Sequence, residues 1–209
     1  MALLIKKFGG TSVEDITKIK AIAQSIIQSK EAGNDIVVVV SAMGHSTDHL
    51  NKLAESISKN PNSRELDMLL STGEQVTMAL LSMSLNEYGI PAISLTGSQV
   101  GIVTESIHGK ARILDIKTER IQNYINQGYV VVVAGFQGST LSHTGSMEIT
   151  TLGRGGSDTS AVALSTALGA ETCEIYTDVP GVLTTDPRIV PNAKLLDIIS
   201  CEEMLELAS

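Results

Sequence analysis

Ile36-Val37-Val38-Val39-Val40 is an unbroken run of β-branched side chains, followed at once by Ser41-Ala42-Met43-Gly44. A strand with one face in water alternates apolar with polar residues. A run without alternation is apolar on both faces, as expected of a strand in a parallel sheet covered by helices on each side. Upstream, apolar residues at positions 13, 16, 19, 22, 23, 26 and 27 recur at helical spacing, and Gly33-Asn34 ends that segment. Downstream, Leu50 to Ile57 reads as a helix, and after Asn60-Pro61-Asn62 a longer helix is expected from about Arg64 to Tyr88. Ala92 to Leu95 is a short strand, and residues 97–116, with Gly97, Gly101 and Gly109, read as a hairpin excursion. A helix over Lys117 to Asn126 leads to the strand Tyr129 to Ala134 and then Gly135-Phe136-Gln137-Gly138. Ser139 to Thr150 reads as a loop, and Glu174 to Tyr176 as a strand ending at Thr177-Asp178. Repeated helix-strand alternation of this kind implies a layered α/β fold with a mostly parallel sheet.

Composition narrows the class. The chain has 209 residues, 43% hydrophobic but only 3% aromatic, so its core is aliphatic. A net charge of -8 argues against a nucleic-acid surface, which needs a clustered basic stripe, but permits nucleotide binding through a few local cations. Cys173 and Cys201 lack metal or redox spacing and read as reduced thiols. Of His45, His49, His108 and His143, only His45 and His49 share i, i+4 spacing, and Thr47-Asp48 between them looks like a loop entering a helix, so no metal ligand is assigned. The apolar start is interrupted by Lys6 and Lys7, unlike a secretory signal, and no apolar run is long enough to span a bilayer. A soluble cytoplasmic protein is the expectation, without a nucleic-acid or membrane partner.

In parallel α/β sheets, ligands gather beyond the carboxyl ends of the strands. Four candidate loops lie there: Gly9-Gly10, Ser41 to Gly44, Gly135 to Gly138, and Thr177-Asp178. To these is added Thr151-Leu152-Gly153-Arg154-Gly155-Gly156-Ser157-Asp158, which opens onto an apolar helical stretch. Glycine-rich turns that feed a helix start bind anions, because free amides and the helix dipole converge there. Arg154 adds a forked, permanently charged donor for a carboxylate or phosphate. Ser157 and Asp158 fall where a helix N-cap is expected. Lys7 ends a short apolar run and precedes Gly9-Gly10, a point charge placed for a phosphate. Ser200-Cys201-Glu202-Glu203 has capping-box spacing, with Met204, Leu205 and Ala208 in helical register after it.

Taken in order, Lys7-Phe8-Gly9-Gly10-Thr11-Ser12, Val40-Ser41-Ala42-Met43-Gly44, Ser71-Thr72-Gly73-Glu74, Gly135 to Gly138, Thr151 to Asp158, and Tyr176-Thr177-Asp178 with Thr185-Asp186-Pro187-Arg188 resemble aspartate kinases of the amino-acid kinase superfamily. The resemblance spans nearly the whole chain. It implies a three-layer α/β/α sandwich, and transfer of the γ-phosphoryl group of ATP, with Mg²⁺, to the side-chain carboxylate of L-aspartate. That reaction leads toward lysine, threonine, methionine and often diaminopimelate. On this resemblance Lys7 is the principal cation on the phosphates, with the Gly9 and Gly10 amides beside it, and Asp158 orients the lysine. Arg154 suits the α-carboxylate of aspartate and Glu74 its α-ammonium. Ser41 and Thr47 are secondary substrate contacts, and Ser157 stands between capping a helix and touching substrate. Thr177, Asp178, Asp186 and Arg188 resemble nucleotide contacts, and Leu183 stands where many relatives carry a tyrosine beside the nucleotide.

Family members continue into a further ATP-contacting lysine and ACT-type regulatory domains. Residues 1–209 are therefore expected to be a catalytic-domain portion that stops in mid-helix, from a full-length protein that is a homo-oligomer. Two other readings stay open at this point: a binding module that holds nucleotide or amino acid without turnover, and a related kinase with another acceptor. Glu74 discriminates, since a carboxylate suits a free α-ammonium and serves no purpose toward an acetylated amine.

Overall fold

The computed structural model describes residues 1–142 and 145–207. His143 and the final positions 208–209 lie outside the described residues. The chain divides into two units, residues 1–176 and residues 177–209.

The first unit is built on β1 (Leu3–Phe8), β2 (Asp35–Val40), β3 (Ala92–Leu95), β6 (Val130–Ala134) and β9 (Thr172–Tyr176). They form a five-stranded sheet in the order β3-β6-β2-β1-β9, every pairing parallel. Ile36 to Val40 and Val130 to Ala134 are all fully inaccessible, which explains why neither run alternates. Successive side chains then serve opposite faces. Ile36, Val38, Val40, Val130 and Val132 pack with α1 (Ile16–Glu31) and α4 (Thr72–Glu87). Val37, Val39, Val131 and Val133 pack with α5 (Glu119–Asn126) and α6 (Gly156–Leu168). The result is the expected three-layer α/β/α sandwich. Phe8 pairs with both Val40 and Tyr176, and Val40 with Ala134, so these four strands end level at one edge.

Strand alternation also separates two neighbouring lysines. Lys6 turns toward α1, where its Nζ donates to Ser29 Oγ at 2.8 Å and pairs with Glu174 at 3.1 Å. Lys7 turns toward α6.

Two expectations change. The helix anticipated from Arg64 to Tyr88 is two helices, α3 (Ser63–Leu70) and α4, broken at Ser71. The buried Gln137 donates its Nε2 to the Ser71 carbonyl at 2.9 Å, and a Cβ at Gly73 would come 2.8 Å from Ala42 Cβ, so distant residues set where α4 starts. The loop expected over Ser139 to Thr150 is instead a hairpin, β7 (Gln137–Leu141) against β8 (Met147–Thr151). Gln137-Gly138 accordingly opens a strand rather than closing a loop. With β4 (Ile102–Thr104) and β5 (Ile113–Ile116), the hairpin makes a four-stranded sheet ordered β5-β4-β7-β8. β7 and β8 carry Gly138, Ser139, Thr140, Thr150 and Thr151, with Thr104 Oγ1 and Thr150 Oγ1 sharing a buried hydrogen bond at 2.6 Å, so no run of large apolar side chains marks them.

In the second unit, Leu183 bridges Leu195 in antiparallel fashion, and α7 (Cys201–Leu207) follows. The capping box forms: the Ser200 amide donates to Glu203 Oε2 at 2.8 Å and the Glu203 amide to Ser200 Oγ at 3.2 Å. Among the described residues from 177 to 207 none is buried.

Candidate active site

Lys7 is 7% exposed, and its Nζ lies 2.7 Å from Asp158 Oδ1. A nearly buried ammonium is sustained only with such a partner. Asp158 reaches it because helix α6 starts earlier than expected. The N-cap is Gly155, at φ 74°, a left-handed conformation suited to glycine. Ser157 and Asp158 therefore lie in the first turn and not at the cap, where a carboxylate still complements the helix dipole. Asp158 faces the lysine and not its own helix amides.

A cavity of about 320 Å³ is lined by Lys7, Gly10, Ser41, Thr47, Glu74, Arg154, Ser157 and Asp158, together with Ala42, Gly44, Phe136 and the loop glycines. Residues from five separate chain segments meet there because the ends of β1, β2 and β6 are level and α4 and α6 begin beside them. Gly10 has no room for a side chain: a Cβ would lie 3.0 Å from the Ala42 carbonyl oxygen and 3.2 Å from that of Gly44. The Gly9 amide, expected beside the phosphates, donates instead to the Tyr176 carbonyl at 3.2 Å. A larger neighbouring cavity of about 510 Å³ includes His45 and His49 but no lysine or arginine.

Glu74, in the first turn of α4, is 3% exposed. Its Oε1 accepts the Ala42 amide at 3.2 Å, while Oε2 is buried with no hydrogen-bond partner among the described residues. Desolvation outweighs the backbone hydrogen bonding from Glu74 itself and from Ala42 and pushes the carboxyl up to about 7. Arg154, on the glycine-rich loop, is exposed, so the cavity lining holds two cations, Lys7 and Arg154, beside the carboxyl groups of Asp158 and Glu74.

Residues 2–209 match the model of the amino acid kinase family. The chain belongs to the amino acid kinase family. Its relatives within the family include an aspartokinase of Geobacillus stearothermophilus, 59% identical over all 209 residues and half of that protein. Among solved structures, the aspartate kinase from Synechocystis is 61% identical, with a TM-score of 0.85 over 99% of this chain and 34% of that one. Aspartokinase III of E. coli, solved with aspartate and ADP, is 28% identical with a TM-score of 0.78 over 93% of this chain and 53% of that one. The chain thus spans about half the length of the curated relatives it matches.

The remaining sequence candidates of this amino acid kinase chain fall in the second unit. Arg188 is clamped on Asp186, with Nη2 to Oδ2 at 2.6 Å and Nε to Oδ1 at 3.0 Å, and this holds the Asp186 carboxyl down at about 2. Thr177 Oγ1 donates to Asp178 Oδ1 at 3.2 Å, and Leu183 sits in the bridge to Leu195. Sequence analysis placed the 135–138 segment among the candidate loops but gave Phe136 no role; it is a cavity-lining aromatic held at φ 67°. Its amide donates to Ser160 Oγ at 3.2 Å and its carbonyl accepts the Leu152 amide at 2.9 Å, which fixes the strained backbone. The available signal was its place between Gly135 and Gln137-Gly138 at the end of a buried strand.

Proposed function

We propose that the protein is an aspartate kinase, transferring the ATP γ-phosphoryl group to the β-carboxylate of L-aspartate to give 4-phospho-L-aspartate. One observation carries the reading: the unpartnered Glu74 Oε2 in the same cavity as Arg154 and the Lys7–Asp158 pair. A buried polar atom without a partner costs free energy and is matched by a ligand group of opposite character. Free aspartate supplies an α-ammonium for Glu74 and an α-carboxylate for the Arg154 fork. An acceptor with an acetylated amine would leave Glu74 unmatched.

The chemistry suits these groups. The acceptor carboxylate is ionised near neutral pH and needs no general base. The barrier lies in bringing two anions together and in stabilising charge on the transferring group. Lys7, held by Asp158, supplies a fixed cation there, and the dipole of α6 adds a second positive end. Mg²⁺, when bound, neutralises phosphate charge. Such an ion takes most of its oxygen ligands from phosphates and water with one or two carboxylates, and Asp158, half exposed in the cavity, fits that need. Ser41, Thr47 and Ser157 are short hydroxyl donors beside the same space. Thr177, Asp178, Leu183, Asp186 and Arg188 hold the nucleotide on this reading, through resemblance to the aspartokinases. The full-length protein is a homo-oligomer serving lysine, threonine and methionine formation in the cytoplasm.

The test is ATP- and Mg²⁺-dependent aspartyl-phosphate formation, trapped with hydroxylamine, for the full-length protein and for residues 1–209. Product from aspartate in the full-length protein bears the proposal out. A folded, nucleotide-binding full-length protein that yields none with aspartate, while phosphorylating another acceptor, overturns it.

A further inference from the structure

Below the glycine-rich loop lies a buried carboxylate that touches none of the cavity residues named above. Asp67, on α3, is fully inaccessible. Its Oδ1 accepts from Thr151 Oγ1 at 2.6 Å, and both its oxygens accept from the Gly109 amide at 3.1 Å. His108 Nδ1 sits 2.8 Å from Oδ2. His108 Nε2 in turn lies 3.5 Å from Glu148 Oε2.

Two of the three residues bound by Asp67, Thr151 and Gly109, support the Arg154 loop. Thr151, 1% exposed, ends β8 immediately before Leu152 and Gly153; its carbonyl accepts the Ala111 amide at 2.9 Å. Gly153, at φ 81°, passes so close over the turn at Gly109 that a Cβ would lie 3.3 Å from the Gly109 oxygen. One carboxylate thus ties α3, the 108–111 turn and the root of the loop together.

We propose that Asp67 is a positioning residue for acceptor recognition: through Thr151 and Gly109 it sets where the loop presents Arg154. The inference rests on the reading of Arg154 as the contact to the acceptor's α-carboxylate. Fork-to-fork pairing of guanidinium with carboxylate depends on orientation, so a loop released by a fraction of an ångström binds the acceptor less well.

The experiment measures steady-state kinetics of the full-length protein with Thr151→Val, Thr151→Ser, Asp67→Asn, the Thr151→Val/Asp67→Asn double variant and Arg154→Ala. Thr151→Val removes only the hydroxyl donor, and loss of a hydrogen bond to a charged group corresponds to about a tenfold effect. The aspartate KM should rise about tenfold, while the ATP KM stays within about twofold. Thr151→Ser, which keeps the donor, should restore the parent's value. The effects in the double variant should be less than additive, because the Thr151 hydroxyl contributes fully only while residue 67 offers it a charged acceptor. An aspartate KM unchanged in Thr151→Val, equal rises in both KM values, or additive effects in the double variant overturn the proposal while leaving Arg154 in place. An aspartate KM unchanged in Arg154→Ala overturns the reading of Arg154, and the role of Asp67 with it.

Discussion

Glu74 holds its proton up to about pH 7 in the folded, unliganded chain, against 4.5 ordinarily. Between those values the folded state binds more protons than the unfolded one, so stability falls as pH rises from about 4.5 to 7 and is level above. The loss is on the order of 3 kcal/mol. Glu74→Gln escapes it, so the variant's melting temperature should exceed the parent's at pH 8 and match it near pH 4.5; an equal difference at both ends would refute the assignment. Binding carries the opposite sign. The α-ammonium of aspartate needs the ionised carboxylate, so the aspartate KM should fall as pH climbs through 7, and Glu74→Gln should flatten that profile while raising KM throughout. Lys7→Ala should lower kcat by roughly two orders of magnitude or more, since it removes a preorganised cation from the transferring group. Its circular dichroism spectrum should match the parent's, because the partner Asp158 is half exposed and left with water. Turnover near the parent's rate would remove Lys7 from the mechanism.

Helix α6 is bounded by two left-handed glycines, Gly155 at φ 74° and Gly169 at φ 62°. Neither has an atom within 4 Å of where a Cβ would stand, so replacement by alanine meets strain alone. Each costs roughly 1 kcal/mol, a few degrees in Tm. The two should differ in function. Gly155→Ala disturbs the end of the helix that carries Asp158 and adjoins Arg154, and should raise the aspartate KM. Gly169→Ala, at the far end, should leave kinetics at the parent's values; equal kinetic effects would show that strain in α6 and not loop placement is being read out. The ends of this helix also show what the sequence reveals of an element. The glycine-rich start and the helix were legible, but the choice of cap was not. Ser157 and Asp158 are good N-cap residues. Positive φ at Gly155 and the demand of Lys7 for a carboxylate outweigh that preference, and neither is a local signal.

At the scale of the molecule, protection from solvent is unevenly spread. Val37 to Val40 and Val131 to Val133 are fully inaccessible in the middle of the sheet, whereas no described residue from 177 to 207 is buried. Amide hydrogen exchange should therefore be slowest in β2 and β6, approaching global opening, and fastest over 177–207. Protection of residues 177–207 equal to that of β2 would contradict this. Among the described residues no helix is long and apolar enough to cross a membrane. The valine runs made the parallel sheet readable, because a strand buried on both faces must be apolar at every position. In the second sheet the β4–β5 hairpin was readable but β7 and β8 were not, because hydroxyl-rich strands such as Gln137–Leu141 are held by cross-strand hydrogen bonds and close backbone packing, as where Gly138 meets Ile102 and Thr104.

The sequence by itself determined the strands of the parallel sheet and the helices that alternate with them, and the side chains that supply charge at its carboxyl edge, because hydrophobic periodicity and turn chemistry act over a few residues. The tertiary structure decided the rest through contacts between residues far apart in the chain. Gln137 breaks the helix at Ser71 across 66 positions, Glu74 meets the Ala42 amide across 32, and Asp67 grips Thr151 across 84. Such contacts leave no period in the sequence. They arise only when the folded chain brings polar groups together away from water, where each must find a partner or be left, like Glu74 Oε2, for a ligand.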